Sequence, residues 1–377
     1  MLAGEPSGDA LGARLAAALL RADPSLHLYG VGGDAMRAAG VETIVDTAEL
    51  SVMGFAELGR EIGRVLKSFG RLRRELKERG PDLFVPIDFP DFNLPLCRTA
   101  RAAGVPVFYY VSPQVWAWRR GRIDTIARNV TRMLVLFPFE EEIYRSRGVD
   151  AHFVGHPLAE DVAPTRAAAE VRAALGVAPG SRVLALLPGS RRREVEAMLP
   201  PMLEAAAMLG PGIQPVVAEA PALAPGLLDR VLEAEGRRRA TGPGDDGVAC
   251  RRGDTYNLLA ASDAALVTSG TATLESALVG CPMVVAYRMS AFSHALARRL
   301  VKVPFIAMPN LLLGRRVVAE LVQEDAGPER IAAEARLVLD DAGRRAAMLA
   351  DFAEIRRLLV RPGAADRAAA LALELVR

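Results

Sequence analysis

Three loops in the sequence place polar side chains directly behind apolar runs. In the stretch LALLPGSRRREVEAML the apolar run ends at Leu187, Gly189, Ser190 and Arg191 follow, and a helical pattern then begins. Backbone amides at a helix N-terminus attract anions, and an arginine adds a charge-assisted, bidentate contact. This stretch therefore predicts a phosphate or pyrophosphate site. A plain turn with solvated arginines is the alternative, and the Gly-Lys-Ser/Thr of a Walker A loop is missing.

The stretch AALVTSGTATLESALVG repeats this arrangement later in the chain. Ser269, Gly270 and Thr271 follow an apolar run and precede a helix, so they offer amides and hydroxyls to an anion. Glu275 lies one helical turn further on, close enough to meet a sugar diol. The structural alternative makes Thr271 or Thr273 a helix cap and Glu275 its capping-box partner. On this stretch alone, the structural alternative is the stronger one.

The third loop, in LFVPIDFPDFNLPL, carries two aspartates. Asp91 is well explained as a cap for a helix that begins near Asn93. Asp88 ends an apolar run, so its carboxylate is expected to line a cleft. A general base needs hydrogen-bond reach to a hydroxyl and a suitable pKa, and Asp88 is the candidate for that role.

The chain opens on MLAGEPSGDALGARLAAALL, which has the pattern of a strand, a tight loop and a helix. The loop is Gly4 to Asp9, and the helix is expected over Ala10 to Leu20. Only Met1, Leu2 and Ala3 remain for the strand, so the first domain is expected to have a reduced or absent central strand. A misassigned start is the explanation that we favour for this short strand.

Aromatic and basic residues come together in YYVSPQVWAWRRGRIDTIARN. Trp116 and Trp118 stand beside Arg119, Arg120 and Arg122. Such interleaving fits single-stranded nucleic acid, a cleft wall for a phosphorylated and partly apolar ligand, or tryptophans packed in a core.

The composition of the chain limits the classes of protein and the kinds of site that it can contain. The chain has 377 residues, of which 51% are hydrophobic and 24% are charged, as in a two-domain globular enzyme. A net charge of +2 argues against a nucleic-acid-binding surface. The three cysteines are far apart and the four histidines form no metal-spaced cluster, so no metal site is expected. His156, between Gly155 and Pro157, is a candidate for a position facing the cleft.

Short apolar runs alternate with helical stretches through most of the chain, which predicts parallel sheets with crossover helices. Nine of these runs are expected to be strands, near Leu26–Val31, Leu83–Ile87, Val107–Val111, Met133–Phe137, His152–Val154, Val183–Leu187, Gln214–Ala218, Ala264–Thr268 and Met283–Tyr287. Two such series divide around Gly155 to Gly180, so we expect an α/β protein with two doubly wound, Rossmann-like domains. The segment Gly236 to Gly253 is rich in glycine and arginine and is expected to be a surface loop. From Pro328 onward the pattern is helical. Ligands of such sheets bind beyond the carboxyl ends of the strands, where the three loops lie.

A basic amphipathic stretch follows at residues 52–79. Its apolar residues recur at helical spacing, and arginines lie between them. Packing on a sheet is the usual role of such a helix. The alternative is contact with an anionic membrane surface. No stretch is long and apolar enough to span a bilayer.

Taken together, ten segments resemble one family, the bacterial lipid-A-disaccharide synthases. They run in family order from residue 3 to about 316. The segments are AGEPSGD, SVMGFAEL, IDFPDFN, YYVSPQVWAWRRGRI, FPFEEEIY, FVGHPL, LLPGSRRREVE, SDAALVTSGTATLE, CPMVVAYRM and PNLLLGR.

This resemblance implies a GT-B-like glycosyltransferase architecture with no metal or other cofactor. It implies transfer of 2,3-diacylglucosamine from its UDP derivative to 2,3-diacylglucosamine 1-phosphate (lipid X), giving a β-1,6-linked disaccharide 1-phosphate and UDP. An α-linked donor and a β-linked product require inversion by direct attack of the acceptor 6-hydroxyl.

The resemblance also implies roles for individual residues. Asp88 would be the base or an essential acceptor contact, and Arg191 would bind the diphosphate with help from the Ser269–Thr271 loop. Glu275 would hold the ribose. Ser7 and Asn310 match cleft positions of the family, without an assigned role.

The organisation implied is an acceptor and membrane-side domain at 1–160, a UDP-sugar domain at 161–327 and C-terminal helices at 328–377. Those helices would pack back or be exchanged in a homodimer. The family resemblance places the protein on the cytoplasmic face of the inner membrane as a peripheral enzyme. Two other functions stay open: another UDP-sugar enzyme of this fold, such as a 2-epimerase, and a non-catalytic membrane-surface UDP-sugar-binding protein.

Overall fold

The computed structural model describes residues 1–50, 58–113, 121–242, 245–289 and 304–376. Outside these ranges lie the first part of the basic amphipathic stretch, residues 52–57, and Trp116, Trp118, Arg119 and Arg120.

The strands, in chain order, are β1 Leu2–Ala3, β2 Tyr29–Gly32, β3 Glu42–Asp46, β4 Pro86–Ile87, β5 Phe108–Tyr110, β6 Arg132–Val135, β7 Ala151–Phe153, β8 Arg182–Leu187, β9 Ile213–Glu219, β10 Ala249–Arg252, β11 Ala264–Thr268, β12 Met283–Tyr287 and β13 Ala319–Val322.

The helices are α1 Pro6–Ala22, α2 Asp34–Ala38, α3 Leu58–Glu78, α4 Pro90–Ala102, α5 Arg122–Asn129, α6 Pro138–Arg145, α7 Pro157–Asp161, α8 Ala168–Ala174, α9 Arg192–Met208, α10 Leu227–Ala234, α11 Thr255–Ala261, α12 Thr271–Val279, α13 Met308–Leu313, α14 Pro328–Asp340, α15 Ala342–Leu359 and α16 Ala364–Leu373.

The chain forms two compact units. The first comprises Met1–Pro157 and Leu359–Arg377, and the second comprises Leu158–Leu358. The last helix, α16, therefore belongs to the first unit, where Arg21 of α1 forms an ion pair with Asp366. The domain boundaries predicted from the sequence, at 160/161 and 327/328, stay a prediction.

The first unit holds a parallel sheet in the order β3-β2-β1-β4-β5-β6-β7. Its central strand β1 is present, although it has only two residues: Leu2 pairs with Val31 on one side, and Leu2 and Ala3 pair with Pro86 and Ile87 on the other. The order of strands reverses between β1 and β4, which makes this the topological switch point of the sheet, where ligands of such folds bind.

The second unit holds a parallel sheet in the order β10-β9-β8-β11-β12-β13. Its strand β8 reads RVLALL, and Val183 to Leu187 are all buried, as expected for a central parallel strand covered on both faces. The order reverses between β8 and β11. The loops after these two strands are the two loops that the sequence offered for anion binding.

Nine strands predicted from apolar runs are present, within a few residues of their expected positions. Within the described residues, three strands were not predicted, β3, β10 and β13, and all of them are edge strands. Their side chains are largely half-exposed, so they carry no continuous apolar run.

The prediction of a surface loop over Gly236 to Gly253 was wrong for its last part. Residues 249–252 form β10, which pairs in parallel with β9. Arg239 and Arg252 both donate to the buried carboxylate of Glu219, at 2.7 to 3.0 Å. Two guanidinium groups on one buried carboxylate hold this arginine-rich segment against the sheet.

Candidate functional site

A pocket of about 370 Å³ lies at the switch point of the second unit. Its walls come from the loops that follow β8, β9 and β11 and from the start of α11. Every residue predicted from the two anion-binding loops lines it: Gly189, Ser190, Arg191, Ser269, Gly270, Thr271 and Glu275. The structure thus brings together residues that are about 80 positions apart in the sequence.

The loop after β8 is stabilised by hydrogen bonds to the carboxylate of Glu194. Glu194 accepts hydrogen bonds from the backbone amides of Ser190, at 3.0 Å, and Arg191, at 3.2 Å. Its other oxygen accepts from Nη1 of Arg191, at 2.9 Å. The amides of Ser190 and Arg191 are therefore occupied by Glu194, which takes part in the capping box of α9.

Gly189 is required by this geometry. Its φ is +118°, a conformation that L side chains rarely adopt. A Cβ atom on Gly189 would lie 2.5 Å from the Cβ of Glu194. The loop therefore depends on a glycine at 189 and a glutamate at 194.

The loop after β11 presents the beginning of α12 to the pocket. Gly270, with φ +151°, is the residue before the helix and supplies no side-chain cap, and Thr271 and Gly270 are exposed. The Oγ of Ser269 donates to the carbonyl of Ile306 at 2.9 Å, so this hydroxyl is used within the chain. The first amides of a helix have no intrahelical acceptor, so α12 offers them to an anion.

Glu275 is not the capping-box partner that the structural alternative required. Its Oε1 accepts a hydrogen bond from the hydroxyl of Tyr256 on α11, at 3.0 Å. Burial raises the pKa of the Glu275 carboxyl, and the hydrogen bond from Tyr256 opposes that rise. Tyr256 was missed in the sequence because nothing local links it to a glutamate 19 positions away.

Asn310 is a packing residue in this structure. Its side chain is fully buried, and its Nδ2 donates to the carbonyl of Val318 and to Glu320. Its Oδ1 accepts from the amides of Val317 and Val318 at 2.7 and 2.9 Å. The side-chain amide of Asn310 thus forms its hydrogen bonds with groups of the protein, and these bonds stabilise the segment before β13.

Asp88 lies at the switch point of the first unit, directly after β4. Burial raises the pKa of its carboxyl, the amide of Phe89 lowers it, and the nearby carboxylate of Glu5 raises it further. Glu5 follows β1, the neighbouring strand of the sheet. Asp88 and Glu5 are thus two carboxylates at the carboxyl ends of neighbouring strands. Glu5 was not predicted from the sequence.

The GEPSGD segment differs from the expected tight loop, because α1 already begins at Pro6. Ser7 is exposed in the first turn of α1. Asp9 is buried, and its carboxylate accepts from the amides of Gly33, Ala35 and Met36 at 2.6 to 3.1 Å. Asp9 therefore caps α2.

Two further predicted residues occupy structural positions. The helix α4 begins at Pro90, so Asp91 lies inside its first turn, where it forms an ion pair with Arg122, and the expected capping role was wrong. His156 is 6% exposed and packs on the ring of Phe137, with ring centroids 5.2 Å apart. Burial lowers the pKa of His156 to about 4, so its ring is neutral at neutral pH.

In the part of the chain that the structure describes, no three His, Cys, Asp or Glu side chains are grouped so that they could hold a metal ion. His27 and His152 pair with Glu42 and Asp150. Within the same ranges, no helix has the length and apolar character that crossing a membrane requires.

Comparison with known proteins decides the family. The family model described as lipid-A-disaccharide synthetase matches residues 1–374. The chain belongs to the lipid-A-disaccharide synthetase family. A curated lipid-A-disaccharide synthase from Syntrophus aciditrophicus (strain SB) is 44% identical over 377 residues, covering 100% of this chain and 97% of that protein. The chain is therefore a glycosyltransferase of lipid A biosynthesis.

Solved structures show the same fold at low identity. One is a putative UDP-N-acetylglucosamine 2-epimerase from Listeria monocytogenes, with a TM-score of 0.60, 13% identity, and coverage of 98% of this chain and 92% of that one. Another is the glycotransferase of kitacinnamycin, with a TM-score of 0.59, 16% identity, and coverage of 99% and 97%. The predicted fold class, two doubly wound parallel sheets in a GT-B-like architecture with C-terminal helices, is confirmed.

Proposed function

We propose that this family member condenses UDP-2,3-diacylglucosamine with 2,3-diacylglucosamine 1-phosphate (lipid X), with inversion at the anomeric carbon. The observation that carries the proposal is the pocket of the second unit, where Arg191, the N-terminus of α12 and Glu275 converge. Its volume of about 370 Å³ falls in the range typical of small-molecule sites.

In the proposed donor complex, the diphosphate meets the α12 N-terminus and the guanidinium of Arg191, whose side chain is 80% exposed. Because Glu194 holds the amides of Ser190 and Arg191, the diphosphate either displaces this carboxylate or relies on α12 and the guanidinium. The carboxylate of Glu275 accepts hydrogen bonds from the two ribose hydroxyls. In this arrangement Arg191 and α12 recognise the negative charge of the diphosphate, and Glu275 recognises the diol of the ribose.

In the proposed reaction, the carboxylate of Asp88 takes the proton of the acceptor 6-hydroxyl as the oxygen attacks the anomeric carbon of the donor. A bond forms between that oxygen and the anomeric carbon, and the bond from the anomeric carbon to the diphosphate oxygen breaks. UDP departs with the electron pair. Arg191 and the α12 amides stabilise the negative charge that develops on the diphosphate.

The proposal extends to a position on the cytoplasmic face of the inner membrane, because both substrates carry acyl chains. Helix α3 supports it: Leu72 and Leu76 are buried, whereas Leu66 is 64% exposed beside the exposed Lys67 and Arg71. An apolar side chain among cations suits an anionic lipid surface. We also propose that the protein forms a homodimer, which sedimentation of the purified protein tests.

The test of the proposed reaction is product formation by the purified chain in detergent, from UDP-2,3-diacylglucosamine and radiolabelled lipid X. A labelled disaccharide 1-phosphate and a stoichiometric amount of UDP are expected. Turnover of UDP-N-acetylglucosamine in place of the acylated donor would point to the 2-epimerase-like alternative. Saturable UDP binding without any product would point to the non-catalytic binding protein.

Removing the guanidinium next to the donor pocket should weaken the binding of UDP. For Arg191→Ala we expect a loss of about 10- to 150-fold in UDP affinity, since a hydrogen bond to a charged group contributes about 1.5–3 kcal/mol. The affinity for uridine, which lacks the diphosphate, should not change. Arg192→Ala is the matched control, because Arg192 is 73% exposed on the same helix and pairs with Glu196. Equal losses for both variants in calorimetric titrations would contradict the assignment.

The hydroxyl of Tyr256 should matter only for the ribose. Tyr256→Phe removes the donor to Glu275, so the pKa of that buried carboxyl rises further and less of it is ionised at a given pH. We expect UDP and uridine to bind about 2- to 13-fold more weakly, which corresponds to about 0.5–1.5 kcal/mol for one hydrogen bond. The loss should grow as the pH falls. It should become smaller with 2′-deoxy-UDP, which keeps only the 3′-hydroxyl of the diol, and a loss of the same size with this analogue would exclude a role at the 2′-hydroxyl.

A further inference from the structure

We infer that Tyr109, together with Asn93, is a positioning residue for Asp88: the two side chains hold the backbone carbonyl of Asp88 and thereby fix the direction of its carboxylate. This inference rests on the proposed role of Asp88 as the base. It concerns residues that do not themselves touch the reacting atoms.

The backbone at Asp88 has an unusual conformation. Asp88 and Phe89 have φ values of +45° and +48°, and they are consecutive residues with side chains. The left-handed region is uncommon for residues other than glycine, and such conformations persist only where the surroundings over-determine them. They concentrate at active sites and ligand-binding segments. The contacts that stabilise the loop after β4 are therefore of functional interest.

The backbone groups of Asp88 form three hydrogen bonds. Its carbonyl oxygen accepts from the hydroxyl of Tyr109 at 2.7 Å and from Nδ2 of Asn93 at 2.7 Å. Its amide donates to the carbonyl of Tyr110 at 3.0 Å. Tyr109 and Asn93 are both 0% exposed, so neither exchanges its bond for water.

The following residue is fixed as well, by packing. The ring of Phe89 stacks on Phe92 with centroids 5.6 Å apart, and it lies over Gly4 in the loop after β1. A Cβ atom on Gly4 would come within 2.2 Å of Cδ1 of Phe89. Because the peptide after Asp88 is held at its carbonyl and at the next side chain, the Cα–Cβ direction of Asp88 has little freedom.

The two clamping residues come from different elements. Tyr109 lies on β5, which neighbours β4 in the sheet, and Asn93 lies in the first turn of α4. A side chain from the sheet and a side chain from the helix thus donate to the same carbonyl oxygen, that of Asp88. A base held in this way keeps its geometry toward a hydroxyl when the substrate binds, and a small misplacement of a reacting group costs about 10²-fold in rate.

The test is Tyr109→Phe, which removes one hydroxyl and keeps the ring. We expect kcat for disaccharide formation to fall about 10- to 100-fold. The KM values of both substrates and the affinity for UDP should stay unchanged. Tyr144→Phe is the matched control, because Tyr144 is also 0% exposed and donates to a backbone carbonyl, that of Pro113, at 2.8 Å. Both variants lose a buried hydrogen bond of the same kind, so their thermal stabilities should fall alike while only Tyr109→Phe loses kcat.

A double-mutant cycle shows whether Tyr109 acts through Asp88. If it does, Tyr109→Phe combined with Asp88→Asn is no slower than Asp88→Asn alone. Multiplicative losses, or a kcat for Tyr109→Phe equal to that of Tyr144→Phe, would overturn the inference. Asn93→Ala is the second variant and should lower kcat in the same coupled way.

These outcomes separate the inference from the proposed function. Absence of disaccharide from the wild type, or full activity of Asp88→Asn, would overturn the assigned reaction or base and the inference with it. Activity that depends on Asp88 but not on Tyr109 or Asn93 would overturn the inference alone.

Discussion

Replacing Asp88 by asparagine is expected to lower kcat by about 10²- to 10⁴-fold, the usual contribution of a general base. The affinity for UDP should be unchanged, because the proposed donor pocket lies in the other compact unit. Single-turnover product formation and calorimetric UDP titration measure the two quantities. The control is Asp91→Asn, which changes an aspartate three positions further on whose side chain is 72% exposed, and which should retain activity.

The same substitution should stabilise the first unit at neutral pH. Burial and the carboxylate of Glu5 raise the pKa of Asp88 in the folded protein, so the ionised form is less favourable there than in the unfolded chain. Above the raised pKa the wild type bears this cost and asparagine does not. As the pH falls through the folded pKa and below the ordinary one, the two proteins should converge in stability.

The rate should depend on the same titration. The acid limb of kcat/KM in the wild type is expected above the ordinary pKa of an aspartate, and Glu5→Gln should move it to lower pH. An Asp88→Asn enzyme with wild-type turnover would exclude Asp88 as the base. An acid limb that Glu5→Gln leaves in place would exclude an effect of Glu5 on the pKa of Asp88.

In the 377-residue polypeptide that begins at Met1, adding three strand-forming residues, such as Lys-Val-Val, before Met1 is expected to raise the melting temperature of the first unit. The ammonium group of Met1 is buried and donates to the carbonyl of Tyr29 at 2.8 Å, and burial lowers its pKa from 8.0 to about 5. Beside it lies a cavity of about 690 Å³, lined by apolar side chains that include Leu26, Leu83 and Leu373. An extension would replace the ammonium by a peptide amide and fill part of this cavity.

The size of this effect depends on pH in a definite direction. An amine whose pKa is lowered by folding binds more protons in the unfolded chain, so the contribution of this amine to the stability of the 377-residue polypeptide becomes more favourable as the pH rises from about 5 to about 8. About three pKa units at about 1.36 kcal/mol each correspond to about 4 kcal/mol over this range. At about 2–4 °C per kcal/mol, the extension should raise the melting temperature by about 6–12 °C near pH 5.5 and by less near pH 8.5.

An extension of Gly-Ser-Gly separates the two causes. It moves the ammonium away from the sheet but adds no apolar side chain to the cavity, so it should remove the pH dependence due to this amine and give a smaller gain at pH 8.5. Thermal melts of the three proteins at both pH values provide the comparison. The same slope of stability against pH in all three would show that the Met1 ammonium is not responsible.

Much of the central architecture could be predicted from the sequence, because buried parallel strands carry continuous apolar runs. The runs at 183–187 and 264–268 are β8 and β11 almost to the residue. The edge strands could not be predicted in this way, since a strand such as β10, with the residues ACRR, is stabilised by Glu219 on the neighbouring strand and not by its own pattern. The polar loops were found because a strand end followed by glycine, serine or aspartate is a local signal.

The sequence by itself determined the family, the doubly wound fold, and the loops that carry Asp88, Arg191 and Glu275. The tertiary structure alone decided which strands are neighbours and therefore which loops meet, and it decided the partners of the polar groups. Glu194 on the loop amides, Tyr256 on Glu275 and Tyr109 on the carbonyl of Asp88 are contacts of this kind. Neighbouring parallel strands are joined through long crossovers, so side chains that touch are distant in sequence and leave no periodic pattern. The pKa of a carboxylate depends on that burial and on those partners, which is why it follows from the fold and not from the motif.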